Sequence, residues 1–267
     1  MEPMLTRTLS TLLRLRVTVT YSTALVAIAT ALVVLGPRVQ DHVIRHMSTN
    51  LHNLAHGQLG TLIGSAFVAA DGPMWVWLPG LVALLALAEL LWRSARVLIT
   101  FTVGHVGATL IIAAGLAAAI NIGWLPISLA RASDVGISYG AVAVLGALTA
   151  AIPPRWRPAW VGWWLPVGLL VVCTNSDFTD VGHVVALLLG MLVSVRFATV
   201  VRWTRVHVAL LMVGVSFGYL VLVHTGPAVV AAPAVGVAGA LAAHWLAGRR
   251  EARRVRPAPA VAAATTT

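Results

Sequence analysis

"SDVGISYGAVAVLGALTA" (Ser133–Ala150) places one hydroxyl, Ser138, between Gly136 and Gly140 at the mouth of a long apolar run. A serine so placed packs, caps a helix or reacts, and the choice depends on what surrounds the run.

The surroundings are apolar almost throughout. Of 267 residues, 59% are hydrophobic and only 10% charged, with a mean hydropathy of +0.91. A soluble domain cannot cover its surface with so little polarity. The apolar runs are continuous rather than alternating, and each is long enough to cross a bilayer as a helix, so strands of a lipid-facing barrel are excluded. The expected fold class is all-α, a polytopic membrane helix bundle. Polar breaks divide it into eight spans, 17–36, 75–92, 98–120, 136–152, 158–174, 181–199, 206–224 and 228–247.

The net charge of +10 comes from arginine alone, since the chain has no lysine. With the N-terminus in the cytosol, fifteen arginines fall on the inner side and only Arg38, Arg45 and Arg131 on the outer. That bias sets the orientation and, with two arginine-rich termini, favours an even number of spans. The basic charge therefore points to the inner face of a plasma membrane rather than to nucleic acid. Residues 1–16 read as a basic cytosolic start and 17–36 as a retained signal anchor. Residues 248–267 read as a disordered basic cytosolic tail lying against anionic headgroups. The single cysteine, Cys173, excludes an internal disulfide.

In this orientation the fourth span runs inward from Gly136, so Ser138 is expected about one turn below the outer surface at about 1.5 Å per residue. The sixth span also runs inward, beginning "SDFTDVGHVVALLLGMLVS" (Ser176–Ser194), and brings His183 to the same depth. A hydroxyl and an imidazole at one level of two neighbouring helices supply a nucleophile and its general base. Small residues let the helices approach: Gly140, Ala143 and Ala147 on the fourth span, Gly182, Ala186 and Gly190 on the sixth.

These residues resemble the rhomboid family of intramembrane serine proteases, in which a G-x-S motif opens the fourth helix and a histidine on the sixth is followed by small residues three and seven positions later. Here the matches are Gly136-Ile137-Ser138 and His183, Ala186 and Gly190, with alanine for the usual first glycine. The second span ending in Glu89 before "RSAR" (Arg93–Arg96) is also similar to the family's acidic-then-basic turn, and the actinobacterial rhomboid-like membrane proteins have a comparable alanine- and arginine-rich composition. The resemblance implies a six-helix core over 17–199 with an outer loop at 37–74, followed by two additional transmembrane helices within 200–247. It also implies a Ser138–His183 dyad acting without cofactor or metal. One feature departs from it: the second-helix positions that carry oxyanion-binding histidine and asparagine in active rhomboids hold Pro73 and Trp77 here. Backbone N–H groups at Ser138, or His52, Asn53 and His56 of the outer loop, are the available replacements.

Other patterns have plainer readings. Gly136–Gly140 satisfies G-x-S-x-G formally, but the hydrolase elbow needs a strand and a soluble α/β sheet. Asp180 could orient the imidazole of His183, yet an aspartate at a helix start reads more simply as an N-cap, and Glu89 reads as the partner of Arg93. The pairs His42/His46 and His52/His56 share helical faces at i, i+4, yet with neither glutamate nor cysteine beside them no metal site is expected. Residues 51–70 read instead as an amphipathic segment on the outer leaflet. His105 reads as a packing residue.

The expected function is an intramembrane serine endopeptidase that cleaves membrane-anchored proteins near the outer face. A catalytically silent rhomboid-like scaffold binding transmembrane clients is the alternative. A solute transporter would need intramembrane charges or interrupted helices in matching halves, which the chain lacks apart from Glu89.

Overall fold

The computed structural model describes residues 13–68, 74–175, 177–197, 202–224 and 226–255. The expectations for residues 1–12 and 256–267, and the position of Pro73, lie outside the described residues. No strand occurs among those described.

The chain enters through α1 (Arg16–Leu35) and continues in α2 (Pro37–Met47), two short helices α3 (Leu51–Ala55) and α4 (Thr61–Gly64), and a 3-10 turn at Ser65–Phe67. Next come α5 (Met74–Trp92), α6 (Ser94–Asn121), α7 (Ser138–Ala147), α8 (Arg157–Asn175), α9 (Phe178–Ser194), α10 (Arg205–Leu222) and α11 (Ala228–Val255). Six of these helices, α1, α5, α6, α8, α10 and α11, are long and apolar enough to cross a membrane. The chain is a multi-pass membrane protein.

The fourth and sixth expected spans are shorter than predicted. The α7 helix with its 3-10 extension covers only Ser138–Ala150, and α9 covers Phe178–Ser194. Their position explains the shortness: every residue of α7 after Ser138 is buried, and α7 packs against α5, α6, α9 and α10. A helix wrapped in protein need not match the thickness of the hydrocarbon, because its ends are satisfied by neighbours rather than by headgroups.

The α7 helix also starts deep. Gly104, ten residues into α6, lies against Ala143 and the carbonyl of Tyr139, while α6 runs on to Asn121. Ser138 is therefore set back roughly 15–20 Å from the far end of α6 at about 1.5 Å per residue.

Residues 48–68 fill part of that recess. The Thr49 N–H donates to the Asp134 carbonyl (2.9 Å) and the Gly136 N–H to the Ser65 carbonyl (2.9 Å), while the Asp134 N–H donates to Ser48 Oγ (2.8 Å). Further in, Tyr21 of α1 donates to the Ala66 carbonyl and meets Phe67 edge-on. Irregular backbone at this depth is tolerable because Ser48, Thr49, Thr61, Ser65 and Ala66 are all buried in protein. The expected amphipathic stretch at 51–70 is thus broken into short turns, with Gly57 in the left-handed region (φ 74°). The amphipathic helix is α2, opened by Pro37 at its first turn and without a buried residue.

Glu89 corrects another expectation. Its carboxylate is 2% exposed and accepts from the backbone N–H groups of Val17 (3.0 Å) and Thr18 (2.9 Å) and from the hydroxyls of Thr18 (2.8 Å) and Ser94 (2.6 Å). It ties down the first turn of α1, whose N–H groups lack intrahelical partners and whose dipole favours an anion. Arg93 is exposed and donates only its backbone N–H to the Glu89 carbonyl; Arg16 Nε reaches Ser94 Oγ (3.0 Å) instead. Glu89→Ala strands four donors in an apolar setting and is expected to cost about 3–5 kcal/mol, with Glu89→Gln in between. Unfolding in mixed detergent micelles measures both.

The last two helices fasten to the bundle separately: α10 packs on α5 and α11 on α8, where Gly162 and Gly239 approach backbone to backbone. The α11 helix continues through 248–255, where a disordered tail is expected. Alanine and arginine are good helix formers, and Arg249 lies over the Trp245 ring at 3.6 Å.

Candidate active site

The α7 and α9 helices touch along their small residues. An added Cβ at Gly190 would strike the Ala143 carbonyl, and one at Gly146 would strike the carbonyl of Leu187. Ala186 is fully buried in this interface region. Gly182 makes room for the Tyr139 ring, whereas Gly140 turns the other way and accommodates Phe101 of α6. Gly136, at φ 130°, turns the chain into α7 in a conformation that side chains resist.

Ser138 is the first residue of α7 and half-buried. His183 lies one turn into α9, 4% exposed. The packing sets the two residues on adjacent helices, but the side chain against the imidazole is Tyr139, whose ring meets it edge-on with centroids 5.3 Å apart. Neither His183 ring nitrogen makes a hydrogen bond. The Ser138–His183 hydrogen bond is thus not formed in this structure.

The imidazole is one of several buried polar groups left without partners. Tyr139 Oη, both carboxylate oxygens of Asp180 and Asn175 Nδ2 are also buried and unengaged. Asp180 Oδ1 lies 3.9 Å from His183 Nδ1. The N-cap of α9 is Asp177, which accepts from the Thr179 N–H (3.0 Å), so the capping role expected of Asp180 belongs to its neighbour. Buried polar atoms are nearly always satisfied, so the four side chains gathered here, Tyr139, Asn175, Asp180 and His183, stand out together. Asn175, Tyr139 and Asp180 carry no sequence motif of their own; only their nearness to Ser138 and His183 along the chain signals them.

The outer-loop residues have other duties. Asn53 is buried, and its Nδ2 donates to the carbonyls of Arg45 (3.1 Å) and Ser48 (2.8 Å), which commits both amide hydrogens to holding the loop. His52 lines a separate cavity with Ala117, Asn121, Ile127 and Arg131. His56 Nδ1 pairs with the His52 carbonyl at 2.7 Å. None of these three contacts reaches α7. Trp77 is half-buried and packs on the core.

A Ser–His hydrogen bond does exist elsewhere. Ser65 Oγ and His105 Nε2 are 3.1 Å apart, and the Thr49 hydroxyl lies within reach of both Ser65 Oγ (3.0 Å) and the Thr61 carbonyl (2.8 Å). Ser65 is 1% and His105 5% exposed. The pair locks residues 48–68 onto α6, a link that sequence spacing could not reveal because its partners are forty positions apart.

The match to known families follows this geometry. Residues 14–202 match the model of the rhomboid-like protein family. The chain belongs to that family. The matched region takes in α1–α9 and ends before α10. No curated protein and no solved structure matches the chain.

Asp134, just ahead of α7, gives the rhomboid-like protein a pH signature. Burial, with a smaller contribution from Asp177, pushes its carboxyl up to about 6. A carboxyl raised in the folded state binds its proton more tightly there than in the unfolded chain, so stability is greatest below its unfolded value and declines as pH rises toward 6. Asp134→Asn is expected to flatten that decline and to gain about 1–2 kcal/mol at pH 7. Thermal unfolding between pH 4 and 7 measures it.

Proposed function

We propose that the protein is an intramembrane serine endopeptidase of the plasma membrane, with both termini cytosolic, that cleaves membrane-anchored proteins from the outer side. Ser138 attacks the scissile carbonyl, and His183 takes the hydroxyl proton and returns it to the leaving amine. The observation that carries the reading is the buried imidazole of His183, unengaged at both nitrogens and one residue out of register with the serine that opens the neighbouring helix. A buried imidazole without hydrogen bonds is a cost to the fold, and such costs gather where a group must be free to exchange protons. Catalytic hydrogen bonds commonly close only when substrate is present.

The start of α7 supports an oxyanion site made of backbone. The first N–H groups of a helix have no intrahelical acceptor and sit at the positive end of its dipole, so those beginning at Ser138 can hold the developing charge that no second-helix side chain reaches. The recess above Ser138 suits a substrate helix that unwinds on entering, since a scissile bond within an intact helix is shielded from attack.

A silent rhomboid-like scaffold for transmembrane clients is the second reading, favoured by the placement of Tyr139 rather than Ser138 against His183. The two readings separate on incubation with single-span model proteins in liposomes. Proteolysis predicts fragments whose new termini map to the outer third of the substrate span. The scaffold predicts intact substrate that copurifies with the protein.

A further inference from the structure

Asp180 stands at the third position of α9, behind the Asp177 cap, and its carboxylate is buried without any hydrogen bond. A buried ionised carboxylate is expensive unless something answers its charge. Among the described residues, the one basic side chain within 4 Å of it is His183, with Nδ1 at 3.9 Å from Oδ1. The two side chains rise from one helix face, three residues apart, and both are closed off from solvent, at 1% and 5% side-chain exposure. Helix geometry thus fixes their separation, and a small rotation of either side chain turns the contact into a hydrogen bond.

We propose that Asp180 is a positioning residue for His183, holding the imidazole with its proton on Nδ1 so that Nε2 is left with the lone pair that accepts the serine proton. The inference rests on the endopeptidase reading for its catalytic meaning, though not for the contact itself. In the free protein Nδ1–H faces the carboxylate. During acylation the proton from Ser138 Oγ moves to Nε2 as the Oγ–carbonyl bond forms, and the imidazolium carries it to the leaving nitrogen as the peptide bond breaks. The Asp180 carboxylate offsets the charge of the imidazolium as it forms. Without it, either nitrogen can carry the proton, and a ring protonated on Nε2 alone cannot serve as the base.

The groups facing this pair are Tyr139 from α7, Asn175 from the end of α8, Asp177 at the cap of α9 and His224 beyond the end of α10. Tyr139 lies edge-on to the ring and offers its nitrogens no acceptor, while the Asn175 amide stands beside the Asp180 carboxylate as a donor and leaves Nδ1 to it. A purely structural role, in which Asp180 serves only the dipole of α9, would leave the tautomer indifferent to its replacement.

The test pairs a spectroscopic readout with a kinetic one, on the full chain in lipid nanodiscs. With 15N-labelled histidine and the His183 signals assigned by their loss in His183→Gln, the wild type is expected to show the Nδ1–H tautomer, and Asp180→Asn to shift it toward Nε2–H. On a model transmembrane substrate, Asp180→Asn is expected to lower kcat on the order of 10²–10⁴-fold with KM changed less than about twofold. A wild-type His183 already protonated on Nε2, or a variant unchanged in both tautomer and kcat, overturns the proposal. An Nδ1–H tautomer that depends on Asp180, in a wild type that cuts nothing, upholds the positioning contact and overturns the endopeptidase reading instead.

Discussion

Ser138→Ala and His183→Ala are each expected to reduce cleavage of a transmembrane substrate by about 10⁴-fold or more, and the double variant to be no slower than either alone. The non-additivity is the informative part. A hydroxyl and an imidazole that act in one proton transfer lose the whole advantage when either is removed, so the second deletion has nothing left to take. Two residues contributing separately, one to helix packing and one to substrate binding, would give losses that multiply. Both variants are expected to keep the wild-type fold, since Ser138 is half-buried without a large packing role and His183 makes no hydrogen bond to lose. Steady-state cleavage rates on all three variants, with thermal unfolding alongside, decide the matter.

Gly190→Leu is expected to destroy the fold. The obstacle at this position is backbone: the first added carbon would strike the Ala143 carbonyl, and its neighbours in α7 are equally unable to move because Gly146 meets the Leu187 carbonyl one turn away. With α7 buried against four other helices, the strain has no surface to escape to. A loss above about 4 kcal/mol follows, at the upper end of what single substitutions do. Gly115→Ala in α6 serves as the control, since an added carbon there meets nothing within 4 Å and the change is expected to stay within about 0.5 kcal/mol. Size-exclusion behaviour and thermal unfolding in detergent separate the two outcomes.

The architecture was largely legible because a membrane leaves few choices. Runs of apolar residues of spanning length, broken by arginine and proline, locate the helices whatever their packing, and the small residues at 143, 186 and 190 announced that two of them approach closely. What the runs could not reveal was depth. The expected fourth span, 136–152, has the composition of a membrane-crossing helix, yet α7 is short and recessed because it is enclosed by protein, and enclosure depends on contacts far apart in sequence. The same holds for Glu89. Four positions before an arginine on a helix, it reads as half of a local ion pair, while the groups it serves belong to Val17 and Thr18, about seventy residues away.

At the site, the motif residues themselves were readable and their neighbours were not. Ser138 and His183 stand out by residue type and by spacing to small residues. Tyr139 looks like a filler between two glycines, and Asp180 like a cap, until Asp177 is seen to take that role. Asn53 and His52 presented the opposite problem: polar residues in a loop near a suspected site invite a catalytic role, and the structure gives Asn53 to the loop's own carbonyls.

The most direct test of the account is covalent labelling with a serine-directed fluorophosphonate, with the modified residue identified by mass spectrometry. A nucleophilic Ser138 predicts a single adduct on the wild type at that residue, lost in Ser138→Ala and in His183→Ala. A folded wild type that takes up no label at Ser138 would contradict the endopeptidase reading and leave the protein a rhomboid-like scaffold.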